Sequence, residues 1–166
     1  MKGKWIFVMV LISLLCLVTA QQSSAKTLVY ARPSLGNSID PPTHKGDEAT
    51  LSMVPVYEGL ITTENGRPVP KLALSWQHSP DFKEWTFKLR SGVKFHDGTP
   101  FNAEAVKFNF DRILKTKKTA LGYYVKFGTP DGVQVIDDLT VKVQLNNPLP
   151  LFALDVTLSS YWMASP

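Results

Sequence analysis

The stretch Trp85–Leu114, WTFKLRSGVKFHDGTPFNAEAVKFNFDRIL, constrains the fold more than any other part of the chain. Trp85, Phe87 and Leu89 alternate with Thr86, Lys88 and Arg90. A period of two with one apolar face predicts a half-buried β-strand. Ser91-Gly92 turns the chain, Val93–Phe95 returns it as a second short strand, and Asp97-Gly98 supplies another tight turn. Asn102 stands where an N-cap belongs, and Glu104 meets the positive end of the helix that follows. Val106, Phe110, Ile113 and Leu114 recur at i, i+4, i+7 and i+8, one apolar helix face.

The flanking segments extend the pattern. Thr27–Ala31 is a short apolar strand candidate, and Arg32–Asp47, rich in Pro, Gly, Ser and Asp, reads as a long loop. Glu48–Glu58 reads as a helix, with Asp47 as N-cap, Gly59 as its stop and Pro55 as an interruption. Gly59–Thr63 gives a strand that enters a hairpin turn at Glu64-Asn65-Gly66. Val69–Trp76 places an apolar face ahead of a turn at His78–Lys83. Gly122–Gly132 is loop-like, and Val133–Ile136 and Leu139–Leu145 read as strands around Asp137-Asp138. Pro148 and Pro150 end the second, and Leu151–Trp162 reads as a closing helix. The fold class is α+β, with several short antiparallel strands. The last apolar segment runs to Ser165-Pro166 with no polar tail, so this helix has no evident packing partner and the chain reads as a fragment.

The N-terminus carries an export signal. Lys2 and Lys4 precede an apolar run, Trp5–Thr19, followed by small and polar residues to Ala25. The run is shorter than the roughly 20 residues that span a bilayer, which disfavours a membrane anchor. Small-x-small cleavage fits after Ala25 or after Ala20, and Ala25 is preferred because Thr27–Ala31 begins a strand almost at once. Cys16, the single cysteine, follows Leu15 inside the apolar run, whereas a lipidated cysteine needs a small residue before it. Cleavage would therefore leave a mature chain without cysteine, and so without a disulfide, zinc-thiolate site or cysteine nucleophile. Lys2 and Lys4 account for two of the 18 basic residues, leaving 16 against 14 acidic ones. That balance is spread along the chain apart from Lys115, Lys117 and Lys118, and it offers no patch for nucleic acid.

Chemistry-bearing residues are sparse. His44 lies in the long loop, His78 in a turn and His96 beside Asp97-Gly98. An adjacent His and Asp can form a base with its orienting group, but at this turn the Asp and Gly suit backbone geometry. No nucleophile elbow, zinc-binding helix motif or phosphate-cradling glycine loop is present, so no catalytic residue, metal ligand or cofactor is assigned. Trp76, Trp85, Phe87, Phe95, Phe108 and Phe110 fall mostly on apolar faces and read as core. Tyr123-Tyr124 differ: they sit in a Gly-bounded loop, where a flat apolar ring with a polar tip suits ligand contact or partial burial. The loop Asp40–Glu48, DPPTHKGDE, holds charges of both signs that suit either a solvated turn or the two termini of a zwitterionic ligand.

Several of these segments resemble, in order, the family 5 extracellular solute-binding proteins, the oligopeptide-, dipeptide- and nickel-type receptors of ABC importers. Ile39-Asp40-Pro41 resembles the family's early Leu-Asp-Pro, and Val56-Tyr57-Glu58-Gly59-Leu60 its helix-to-strand junction. Leu72–Trp76, Trp85–Arg90, Gly92–Phe101, the helix with Asp111-Arg112, and Val135–Val141 continue the pattern in register. Pro41-Pro42 and Pro55 depart from it. The resemblance implies a two-lobed, type II-like periplasmic binding protein, of which this is an incomplete N-terminal part. Residues 1–25 would be the signal peptide, 26–62 the start of the first lobe and 63–166 a truncated extra subdomain of that lobe. It implies a monomeric periplasmic receptor for a peptide or similar small solute, delivering to a membrane permease and catalysing nothing. Lys45, Gly46 and Asp47 map to residues lining the family's cleft, and Tyr123 to an aromatic that approaches the ligand. A secreted hydrolase, or a receptor for nickel, glutathione or a sugar, remains as an alternative.

Overall fold

The structure, a computed structural model, describes residues 38–44, 47–115 and 132–166. A short helix α1 (Asp47–Met53) is followed by a hairpin of β1 (Ile61–Glu64) and β2 (Arg67–Pro70). Strands β3 (Ala73–His78) and β4 (Glu84–Leu89), helix α2 (Ala103–Lys115), and strands β5 (Val133–Asp137) and β6 (Thr140–Gln144) come next. One turn of helix, α3 (Phe152–Asp155), and a 3₁₀ turn (Ser159–Tyr161) complete the order.

The larger sheet has the order β3-β4-β6-β5 with every pair antiparallel. Its two central strands are the two with the cleanest alternation in the sequence. Trp85 pairs with Val143 and Phe87 with Val141, and all four are buried. On the opposite face, Lys88 bonds to Thr140 and pairs with Asp137, and Lys142 reaches Glu84. One face is therefore apolar and the other carries charge, as a sheet covered on one side requires. Helix α2 packs on β5 and β6 and contributes Val106, Phe110 and Ile113 to the core. Its start is as expected: the Asn102 Oδ1 accepts the amide of Ala105 at 3.0 Å. The β1–β2 hairpin closes through Asn65 and Gly66, both at positive φ (51° and 74°), the two-residue geometry that Asn-Gly favours.

The structure corrects the expected elements in several places. Helix α1 ends at Met53, before the expected stop at Gly59. Pro55 has no amide and disfavours helical geometry at Val54, and the Met53 carbonyl instead accepts the amides of Val56 and Tyr57. The apolar run Val69–Trp76 is divided between β2 and β3, and a bulge between Ala73 and Ser75 turns Leu74 outward. Val93–Phe95 forms no strand: a single bridge, Lys94 to Pro100, closes a tight hairpin around Asp97-Gly98. Phe108 lies on the exposed side of α2 beneath the Arg112 guanidinium (5.6 Å), and Leu114 is only half-buried.

The largest correction concerns Leu151–Trp162, which is not one helix and does not lack partners. After α3 the chain turns at Thr157, whose hydroxyl donates to the Leu154 carbonyl, and Leu158 is extended. Phe152 packs edge-on to Trp85 and Phe87, with ring centres 5.6 and 6.3 Å apart, and Tyr161 lies 5.7 Å from Phe110. These rings seal the side of the core that the sheet and α2 leave open. Burial pushes the Tyr161 hydroxyl far above its usual pKa, with the Asp155 charge adding to the effect.

Residues 163–165 are strapped down one by one. Met163 donates its amide to Glu58, and the Asn109 side chain accepts from the Ala164 amide (3.0 Å) and donates to its carbonyl (2.8 Å). Ser165 donates its hydroxyl to Asp97 at 2.6 Å. Beneath the strap Gly59 is tightly packed: an added Cβ would lie 3.0 Å from the Trp162 ring and 3.1 Å from the Ile61 carbonyl.

Two expectations test this packing. Phe110→Ala should cost about 3–5 kcal/mol in urea unfolding, and Asn102→Ala about 1 kcal/mol, because the first opens a cavity and the second removes only a cap. The Ser165 hydroxyl, and then the Thr99 amide, hold the Asp97 carboxyl below its ordinary pKa of 3.8. This favours the folded chain above pH 3.8, and the contribution fades as pH falls through the depressed value. In an NMR titration Ser165→Ala should raise the Asp97 midpoint toward 3.8; an unchanged midpoint would remove the strap from the explanation.

Candidate functional site

The loop that the sequence singles out begins with a compact turn. The Asp40 carbonyl accepts the amides of Thr43 and His44, each at 3.0 Å. The Asp40 carboxylate accepts from Arg112 Nη2 through one oxygen (2.6 Å) and from the Thr43 hydroxyl through the other (3.2 Å). Pro41 and Pro42 are buried beneath the turn. Asp40 is therefore engaged with the protein itself, and this carboxylate does not serve as an open anchor for a ligand amine. The pair joins a loop residue to α2 across 72 positions of sequence and is worth on the order of 1 kcal/mol at this partial exposure.

His44 ends the turn with only 5 % of its surface exposed. Its Nδ1 lies 2.6 Å from the Pro41 carbonyl, and its Nε2 lies 2.9 Å from the Ser159 hydroxyl. Ser159 also lies 3.2 Å from the Thr50 hydroxyl on α1. A serine beside a histidine has the outline of a nucleophile and base. Here, however, the histidine is enclosed and oriented by a main-chain carbonyl, and neither residue lines the open groove described below.

Of the residues assigned to ligand contact, Lys45, Gly46 and Tyr123 lie outside the described residues. Asp47 opens α1, and its side chain is likewise outside the description. The structure does place the start of the loop that carries Lys45–Asp47: the turn at Asp40–His44 is fixed to α2 through Arg112 and to the 3₁₀ turn through Ser159.

The sequence reading did not anticipate a groove of about 570 Å³ on the described part of the chain. Leu72, Phe101 and Met163 contribute apolar surface, with Val54–Glu58 and Lys94–Asp97 along its sides. The only hint in the sequence was the His96-Asp97 turn. Asp97 is committed to the Thr99 amide and the Ser165 hydroxyl, so it does not act as the orienting partner of a histidine base. Among the described residues, no three His, Cys, Asp or Glu side chains are grouped to hold a metal ion. No helix among them is long and apolar enough to cross a membrane.

Comparison with known proteins agrees with this architecture. The family described as bacterial extracellular solute-binding proteins, family 5 Middle, matches residues 67–165. The glutathione-binding protein GsiB of Pectobacterium atrosepticum is 35 % identical over 86 % of the chain and 28 % of its own length. The dipeptide-binding protein of Escherichia coli is 32 % identical over 89 % of the chain and 31 % of its own length. The Escherichia coli murein tripeptide binding protein MppA superposes with a TM-score of 0.70 at 28 % identity, covering 78 % of this chain and 29 % of that one. The chain thus spans less than a third of these relatives. With α2, the sheet and the terminal strap all inside the matched segment, the chain belongs to the family 5 bacterial extracellular solute-binding proteins.

Proposed function

We propose that this chain is part of an exported solute receptor for an ATP-driven importer, and that its solute is a peptide or a peptide-like small molecule. The agreement with the dipeptide- and glutathione-binding relatives over more than four-fifths of the chain carries the reading. The receptor acts in the periplasm after loss of its first 25 residues, works as a monomer and hands its solute to a membrane permease without catalysing a reaction. Residues 26–62 begin the first lobe and 63–166 form a truncated extra subdomain of that lobe.

Solute capture proceeds by closure of two lobes around the ligand. In the first lobe, the Lys45 ammonium meets the ligand carboxylate, the Asp47 carboxylate meets its amino group, and the Gly46 backbone lets the main chain approach closely. Tyr123 covers an apolar part of the solute. The Asp40–Arg112 pair bears on this assignment in one respect: the loop's first acid is engaged with α2, so it is not the one assigned to the ligand.

Titration calorimetry of the complete gene product with Ala-Ala, tri-alanine and glutathione should give saturable one-to-one heat with at least one of them. Silence with all three, together with hydrolysis of a peptide, would replace the receptor by an enzyme. The double variant Lys45→Ala, Asp47→Ala should weaken the binding seen by about tenfold or more, since charge-assisted hydrogen bonds are lost.

A further inference from the structure

The two-residue turn of the β1–β2 hairpin holds the one asparagine of this chain that is followed by glycine. Asn65 and Gly66 both sit at positive φ, 51° and 74°. Asparagine and glycine tolerate that region better than other residues do, so the turn keeps this pair together. Both residues are exposed. A Cβ built on Gly66 would meet nothing within 4 Å, so the peptide bond between the two stands clear of the fold. The ladder closes at the pair Glu64–Arg67, and the Gly66 amide takes no part in it.

An unshielded pair of this kind can react with itself. The Gly66 nitrogen attacks the Asn65 Cγ as it gives up its proton. A new C–N bond closes a cyclic imide, the Cγ–Nδ2 bond breaks, and the side-chain nitrogen leaves as ammonia. Water then opens the imide at either carbonyl. One opening leaves an aspartate. The other leaves an iso-aspartate, whose main chain runs through the former side chain and is longer by a methylene. The sequence of steps needs no reactant besides water.

The other asparagines among the described residues are held differently. Asn102 engages its Oδ1 with the Ala105 amide and is followed by alanine. Asn109 is buried, with its side chain bonded to Ala105 and to both main-chain groups of Ala164. Asn147 precedes Pro148, whose nitrogen carries no proton to give up. Asn146 precedes Asn147, whose side chain crowds the attacking nitrogen as glycine does not.

We propose that Asn65 is a self-modification site: it cyclises onto Gly66 with loss of ammonia, and the iso-aspartate product uncouples the tip of the β1–β2 hairpin. A two-residue turn has no slack for a longer main chain, so the pairs Glu64–Arg67 and Thr63–Pro68 lose their register. Both products also place a carboxylate beside Glu64. The base of the hairpin holds. Leu60 and Ile61 are buried, and the Leu60 carbonyl accepts the amides of Lys71 and Ala73.

Timed incubation of the complete gene product in mildly alkaline buffer, followed by peptide mapping, tests the site. The peptide carrying Asn65 should lose ammonia and take up water before those carrying Asn102, Asn109, Asn146 or Asn147 change, and iso-aspartate should be among its products. Amide exchange in β1 and β2 of the iso-aspartate form should quicken about tenfold, while amides of β4 and β6 keep their rates. Asn65→Gly, which retains a turn pair suited to positive φ, should show neither change. No conversion at Asn65, or conversion at Asn146 or Asn147 ahead of it, would overturn the site. Aspartate as the sole product, or iso-aspartate with unaltered exchange, would overturn the uncoupling. If Asn65→Gly fails to fold, mapping and exchange on the unaltered protein decide alone.

Discussion

The main core is built on the pairing of β4 with β6. It joins residues more than fifty positions apart and sets Trp85, Phe87, Val141 and Val143 on one face. Burying a side chain of this size is worth about 1.5–3 kcal/mol, so an apolar face of this extent must be covered. Helix α2 covers part of it, with Phe110 and Ile113. The segment from Phe152 to Tyr161 covers the remainder, because its rings reach Trp85, Phe87 and Phe110. The positions of Ser159 and of the strap at residues 163–165 follow from that cover. The turn at Asp40–His44 is thereby tied, through Ser159 and Arg112, to a core built from residues far along the chain.

The sequence made the parts with local signals legible. Alternation at Trp85–Leu89 and Leu139–Leu145, the Asn65-Gly66 turn and the Asn102 cap each appear where the residues indicate. These features are decided by side-chain period and backbone preference within a few residues. Features decided by distant contacts were not legible. The outward bulge at Leu74 depends on the register with β4. The broken course of Leu151–Trp162 depends on rings contributed by β4 and α2. Pro55 was noted as an interruption, yet the helix end at Met53 also needed the turn bonds of Val56 and Tyr57.

The candidate site shows the same division. The loop with Lys45, Gly46 and Asp47 was found by its resemblance and by its mixed charges. Its restraints were not, because Arg112 and Ser159 are remote in sequence and of common residue types. His44 read as one scattered histidine among three, and only the structure gives it a carbonyl on one nitrogen and a hydroxyl on the other. Asp40 read as one of several loop charges that suit a solvated turn or a ligand's termini, and the structure pairs it with Arg112. Some residues of a polar loop thus hold its shape, and only their long-range partners reveal which.

A crystal structure of the complete gene product grown with tri-alanine tests the central claim most directly. The receptor reading requires the peptide to be enclosed between two lobes, with its carboxylate near Lys45 and its amino group near Asp47. A peptide seated in the groove beside Lys94–Asp97, with Lys45–Asp47 exposed to solvent, would contradict it.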